Sequence, residues 1–123
     1  MQTQIVFNVE RMREFTARAG ELGLLGKAFI LGGVFVLRSA RAARYLRDQV
    51  PGIDVPDETI TRMEGVAAER QPDEGVRITT EVVQQLREMH GIAAVHVMSI
   101  NWDDAIPRVV EGSGLLPRPS TDP

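Results

Sequence analysis

Ala28-Phe29-Ile30-Leu31-Gly32-Gly33-Val34-Phe35-Val36-Leu37 is an apolar run that two glycines interrupt and that Arg38-Ser39 and a helical pattern follow. A strand apolar on both faces has no solvent side on which to alternate polar residues, so it belongs inside a parallel sheet covered by helices. Residues 27–31 are expected to form that middle strand. Residues 32–38 then leave its carboxyl end as a loop before a helix, the place where parallel α/β proteins bind ligands. Gly32-Gly33 reads equally as a sharp turn and as a close-approach site, because the glycine spacing of a phosphate-binding loop is absent.

Upstream of the run, Gln4-Ile5-Val6-Phe7 is strand-like with only three residues before it, so the chain is expected to begin inside an element. Asn8 suits a helix N-cap, its side chain accepting from a free N–H of the first turn. Val9, Met12, Phe15, Ala19 and Leu22 recur at helical spacing, with Arg11, Arg13, Glu14 and Arg18 on the opposite side. That is an amphipathic helix lying on a sheet, which Gly20 and Gly23 end.

Downstream, Ser39 is placed to cap a helix over residues 40–49 that Pro51-Gly52 stops. Pro56 opens a further helix to about residue 69, Gln71-Pro72-Asp73-Glu74-Gly75 reads as a turn, and residues 76–89 as another amphipathic helix. Ala94-Val95-His96-Val97-Met98-Ser99-Ile100 is the third strand, with Asn101 and Trp102 at its carboxyl end. Asp103-Asp104 then precede a last helix, where its dipole favours acids. The order is β-α-β-α-α-α-β-α, an α/β chain of three parallel strands with flanking helices and right-handed crossovers. Three such strands leave two bare edges, which another chain or another part of this one should cover.

Bulk properties narrow the classes. The 123 residues carry a net charge of −3 with both signs interspersed, so nucleic acid and membrane surfaces are not expected as partners. There is no cysteine, which excludes disulfides and thiol catalysis and fits a cytoplasmic location. No apolar stretch approaches the ~20 residues of a bilayer span, and Met1-Gln2-Thr3-Gln4 lacks the basic start of a signal peptide. Residues 1–117 read as one structural part and 118–123 as a flexible tail.

Few side chains suggest chemistry. Gln4, alone, reads as a residue that hydrogen-bonds a neighbouring loop. Arg38, Arg41, Arg44 and Arg47 recur every three residues, a pattern better suited to a solvated helix face than to an anion site. Tyr45 fits either a core position or a platform for a planar ligand. His96, among apolar neighbours, is expected as a hydrogen-bonded core histidine, His90 as exposed, and Trp102 occupies a position suited to a site. No paired carboxylates, no Ser-His-Asp set and no metal-ligand spacing is visible, so no catalytic or metal-binding residue is assigned.

Five segments carry a resemblance. Thr3-Gln4-Ile5-Val6-Phe7-Asn8, Gly32-Gly33-Val34-Phe35, Ser39-Ala40-Arg41-Ala42-Ala43-Arg44-Tyr45, Val50-Pro51-Gly52-Ile53-Asp54-Val55-Pro56-Asp57-Glu58 and Val95-His96-Val97-Met98-Ser99-Ile100-Asn101-Trp102 resemble, in that order, the carboxyl-terminal part of the methylenetetrahydrofolate reductase family. No single motif is diagnostic; the ordered set over nearly the whole chain is. The resemblance implies a partial (β/α)8 TIM barrel, with this chain supplying strands six to eight. It also implies a flavoprotein that uses FAD and NADH or NADPH to convert 5,10-methylenetetrahydrofolate to 5-methyltetrahydrofolate.

By the same likeness Gln4 contacts both the folate pterin and the nicotinamide, and Tyr45 matches an aromatic, commonly Phe, stacked near the substrate. Arg41 falls where some members have a folate-contacting Gln, and Trp102 where some have an Arg that reaches the folate. These two departures leave the folate tail, or a divergent pterin substrate, open. The family's acid on strand one, its strand-four aspartate and most FAD contacts have no counterpart in this chain. The implied partners are therefore a folate substrate and an amino-terminal barrel half in cis or trans, with a homo-oligomer when complete and no activity for this chain alone. The competing expectation is a non-catalytic barrel remnant acting as an assembly or interaction module; a weaker one is another flavin or pterin barrel.

Overall fold

The computed structural model describes residues 2–115. Strand β1 (Gln2–Ile5) leads into helix α1 (Val9–Glu21), strand β2 (Ile30–Phe35), and helices α2 (Ala40–Gln49) and α3 (Asp57–Glu64). A 3-10 turn (Ala68–Arg70) then precedes α4 (Gln71–Arg87), strand β3 (Ile92–Met98) and α5 (Ala105–Gly112). The three strands form one parallel sheet in the order β1-β2-β3, as the order of elements in the sequence implies. β1 and β3 are each paired on one side only among the described residues. No helix there is long and apolar enough to cross a membrane. The tail expected at 118–123 lies outside the described residues.

The glycine pair sits inside the central strand, not in a loop after it. β2 begins at Ile30, three residues later than expected, and Gly32 and Gly33 take full part in its ladder, Gly33 standing between Ile5 and His96. A Cβ at Gly33 would stand 3.0 Å from the Thr3 carbonyl oxygen and 3.3 Å from Met98 Cε; one at Gly32, 3.0 Å from Leu86 Cδ1. These glycines admit close neighbours, which is the second meaning of glycine in a strand.

β1 is displaced too: Gln2–Ile5 forms the strand where residues 4–7 were expected, and Val6 and Phe7 continue it toward α1. Gln2 pairs with Leu31 but Ile5 with Gly33, so β1 spends three residues where β2 spends two. The bulge falls on Thr3 and Gln4. Thr3 Oγ1 accepts from the Gly33 N–H at 3.1 Å and donates to the Gln4 carbonyl oxygen at 2.8 Å, filling a gap in the ladder.

Residues opposite one another in a parallel pair share a face, which sorts the sheet. Val34, Val36, Val95, Val97 and Val6 face a core built with Met12 of α1, Val76, Val82, Val83 and Leu86 of α4, and Ala105 and Val109 of α5. On the other face, Phe7, Phe35 and Leu37, with Ile5 and Met98 beside them, pack against Ala40, Ala43 and Leu46 of α2, Ile60 and Met63 of α3, and Ile53 and Val55 between these helices. Only the carboxyl half of this second face is covered. Gln2, Ala94 and His96 in its amino half are exposed.

α4 starts at Gln71 with Pro72 in its first turn, so the expected turn at residues 71–75 is helix instead. Pro fits there because a first-turn N–H has no intrahelical partner to lose. Gly75 is helical because α4 crosses the exit of β2 against bare backbone: a Cβ there would be 1.6 Å from the Leu37 carbonyl oxygen. Two hydrogen bonds fix the crossing, Thr79 Oγ1 to the Phe35 carbonyl at 3.1 Å and the Ala40 N–H to Gln71 Oε1 at 3.0 Å. Glu74, nearly buried, accepts from Arg62 Nη2 of α3 at 2.7 Å. Partial burial opposes the Arg62 charge, but its hydrogen bonds to Glu81 and Glu74 prevail and raise its pKa.

Candidate functional site

A groove of about 460 Å³ runs along β1 from Gln2 and on to Asn8. That volume lies in the range of small-molecule sites, roughly 300–1,000 Å³. Its polar lining includes Gln2, Gln4, Asn8, Arg11 and Asp54, with Phe15 and Met12 of α1 as the apolar wall. β-bulges re-aim side chains, and this one places Gln4 in the groove.

A tether closes one side of the groove. Asn8 caps α1, its Oδ1 accepting from the Arg11 N–H at 3.2 Å, while its Nδ2 donates to Asp54 Oδ2 at 2.8 Å. Arg11 Nε stands 3.3 Å from the same oxygen. One carboxylate therefore holds the segment between α2 and α3 against the start of α1. Gly52 in that segment has φ +87°, a left-handed conformation glycine adopts without strain. A Cβ there would be 3.9 Å from Gln4 Nε2, so the tethered segment forms the wall beside the Gln4 amide.

The other sequence-derived site residues are distributed as follows. Arg41 is exposed on α2 and pairs with no acid among the described residues. Tyr45, on the same helix, is 61% exposed, so it is not a core residue. Trp102 is half-buried at the carboxyl end of β3, with the Arg38 guanidinium 5.6 Å from its ring centroid. The arginines of α2 behave as the solvated-face reading expects at two positions: Arg44 pairs with Glu64, and Arg47 with Asp48. The hydrogen bond from Arg47 holds the Asp48 carboxyl below its usual range and raises the Arg47 pKa in return. Gln4 lines the groove; Arg41, Tyr45 and Trp102 do not.

His96 is not a core residue. It lies exposed on the uncovered half of the sheet, with Nδ1 2.6 Å from Gln2 Nε2. Gly33 stands between their strands without a side chain, which lets the two meet across β2. His90 is exposed, as expected. Sequence reasoning missed Gln2, Asp54 and the Arg38–Trp102 contact. For Asp54 a signal existed, since a carboxylate between Gly52 and Pro56 follows a turn that must dock somewhere. For Gln2 none did, because nothing local shows that His96 meets it across β2.

No curated protein gives a significant match to the chain. The family model described as methylenetetrahydrofolate reductase matches residues 1–114, which take in the strands and α-helices of the described residues and every residue of the groove. With the match spanning essentially the whole chain, the protein belongs to the methylenetetrahydrofolate reductase family.

Proposed function

We propose that the chain is the carboxyl-terminal part of a flavin-dependent reductase that converts 5,10-methylenetetrahydrofolate to 5-methyltetrahydrofolate with NADH or NADPH. The observation that carries this reading is the family match over residues 1–114. Two features of the fold support it. The sheet is parallel with two open edges, as three adjacent staves of a (β/α)8 barrel would be. The groove that holds Gln4 runs the length of β1 and on to Asn8, past the carboxyl end at which such barrels act.

In this reading Gln4 holds the amide edge of the pterin and of the nicotinamide, which use the site in turn, and Tyr45 supplies a ring face near the substrate. Arg41 and Arg38, the latter resting on Trp102, offer positive charge to a carboxylate tail. When bound, the flavin supplies a two-electron carrier between nicotinamide and folate. The residues present fit only its ring end. The groove has room for one heteroaromatic ring system beside Gln4, but its single guanidinium, Arg11, is already engaged by Asp54 and no cradle for a pyrophosphate lines it. Flavin affinity rests on many converging contacts, so the further strands that cover the two sheet edges, in cis or in trans, supply most of it.

The test is direct. Purified with excess FAD, the chain alone is expected to emerge colourless and without NAD(P)H-dependent formation of 5-methyltetrahydrofolate. Co-expression with the first five strands of a family member is expected to restore both. A yellow, stoichiometrically loaded chain with turnover would refute the division of labour, and a colourless, inactive complex would refute the assigned activity.

A further inference from the structure

We propose that Gln2, oriented by His96, is a second ligand-binding amide in the groove beside Gln4, presenting its carbonyl oxygen to an N–H donor of a planar lactam-type heterocycle. The proposal rests on the pterin-binding reading above and adds to it a residue and a hydrogen-bond polarity. Gln2 lines the same groove as Gln4. Its Nε2 lies 2.6 Å from His96 Nδ1. An amide nitrogen only donates, so Nδ1 accepts and the neutral ring carries its proton on Nε2. That bond spends one end of the Gln2 amide and fixes the other: Oε1 is turned away from His96 and has no partner among the described residues.

The pairing is built into the sheet. Gln2 stands level with Leu31 and Ala94, and His96 level with Gly33 and Ile5, so the two side chains reach each other diagonally over β2. No charged residue stands at these positions on that face, so no competing ion redirects either group. A lactam edge offers a carbonyl acceptor next to an N–H donor. Two glutamine amides in one groove, one of them locked with its acceptor outward, answer both. His96 acts through Gln2 and is a positioning residue.

The experiment titrates the full 123-residue chain with folic acid, following the side-chain amides in proton–nitrogen spectra. Gln2→Leu is expected to raise the dissociation constant about three- to ten-fold, the worth of one net hydrogen bond. His96→Phe is expected to do the same, and the double variant no more than either single. Because both side chains are exposed, thermal melts should not move. Long-range proton–nitrogen correlations in the unliganded protein should show His96 protonated on Nε2 and bare on Nδ1. Binding that Gln4→Leu weakens but Gln2→Leu leaves unchanged would overturn this inference and leave the pterin reading standing. Additive losses in the double variant, or a proton on Nδ1, would overturn the role of His96. No binding of folic acid by the wild-type chain at millimolar concentration would overturn this inference, while the assigned activity stands or falls separately on the co-expressed complex.

Discussion

Replacing Gly75 with alanine tests the packing on which the carboxyl end of the sheet depends. The added methyl carbon would sit 1.6 Å from the Leu37 carbonyl oxygen and 2.7 Å from its carbonyl carbon. Both atoms are backbone, so no rotamer change relieves the clash, and α4 must retreat by about 1.7–2 Å to reach an ordinary carbon–oxygen contact. A shift of that size breaks the Thr79 Oγ1 bond to the Phe35 carbonyl and the Ala40 N–H bond to Gln71, now 3.1 and 3.0 Å. Overpacking costs about 1–3 kcal/mol and each lost hydrogen bond about 1 kcal/mol, while alanine returns about 1 kcal/mol of helix propensity. The net loss is about 3 kcal/mol, a large share of the 5–15 kcal/mol that stabilises a typical domain. Urea unfolding followed by far-ultraviolet circular dichroism should show a lower midpoint with an unchanged slope. Gly26→Ala is the matched control, since nothing lies within 4 Å of its Cβ position, and it should be neutral or slightly stabilising. If Gly75→Ala unfolds at the wild-type midpoint, α4 does not lie on the β2 backbone and the argument for that crossing fails.

Asn8→Ala removes the α1 cap and one hydrogen bond to Asp54, and should cost about 2 kcal/mol in the same unfolding assay while speeding protease cleavage in residues 51–55. Asp54→Asn keeps the acceptor but loses the Arg11 charge partner, so it should cost less than half as much. Trp102 is the only tryptophan, so Arg38→Ala should change its emission while lowering the melting temperature by no more than about 2–4 °C, an exposed cation–π contact being worth about 0.5–1 kcal/mol. The Asp48 carboxyl is held low in the folded chain by Arg47. Its contribution is therefore complete above the ordinary aspartate range and disappears as pH falls through the folded value; Asp48→Asn should lower stability slightly at neutral pH, leave it unchanged in strong acid, and so flatten the acid limb of the stability profile.

The parallel α/β order was legible because it is written in periodicity and in breakers: the caps Asn8 and Ser39 both accept from the first turns of their helices, as their positions imply. What was not legible depended on partners distant in the chain. Gly32 and Gly33 were expected in the loop after the strand because nothing local shows that Thr3, Met98 and Leu86 crowd them in the folded sheet. Gly75 read as a turn for the same reason, its partner being the Leu37 carbonyl. His96 read as buried because the neighbours on its strand are apolar; a strand end left uncovered on one face is a tertiary property. Gln4 was singled out by the family resemblance and lines the groove beside the bulge, whereas the Asp54 tether that walls it in came from neither.

The inserted residue in β1 makes the phase of that strand independent of the rest of the chain. Val6 and Phe7 are anchored in two different cores, so whatever happens at Thr3 and Gln4 is absorbed before it reaches them. Loss of a single codon there would restore simple alternation and leave Gln2 opposite Leu31 and Ile5 opposite Gly33, because those two partners already stand two residues apart on β2. The extra residue is thus a local splice, and the Thr3 hydroxyl accepting from the Gly33 N–H closes the ladder where the splice would otherwise leave it open.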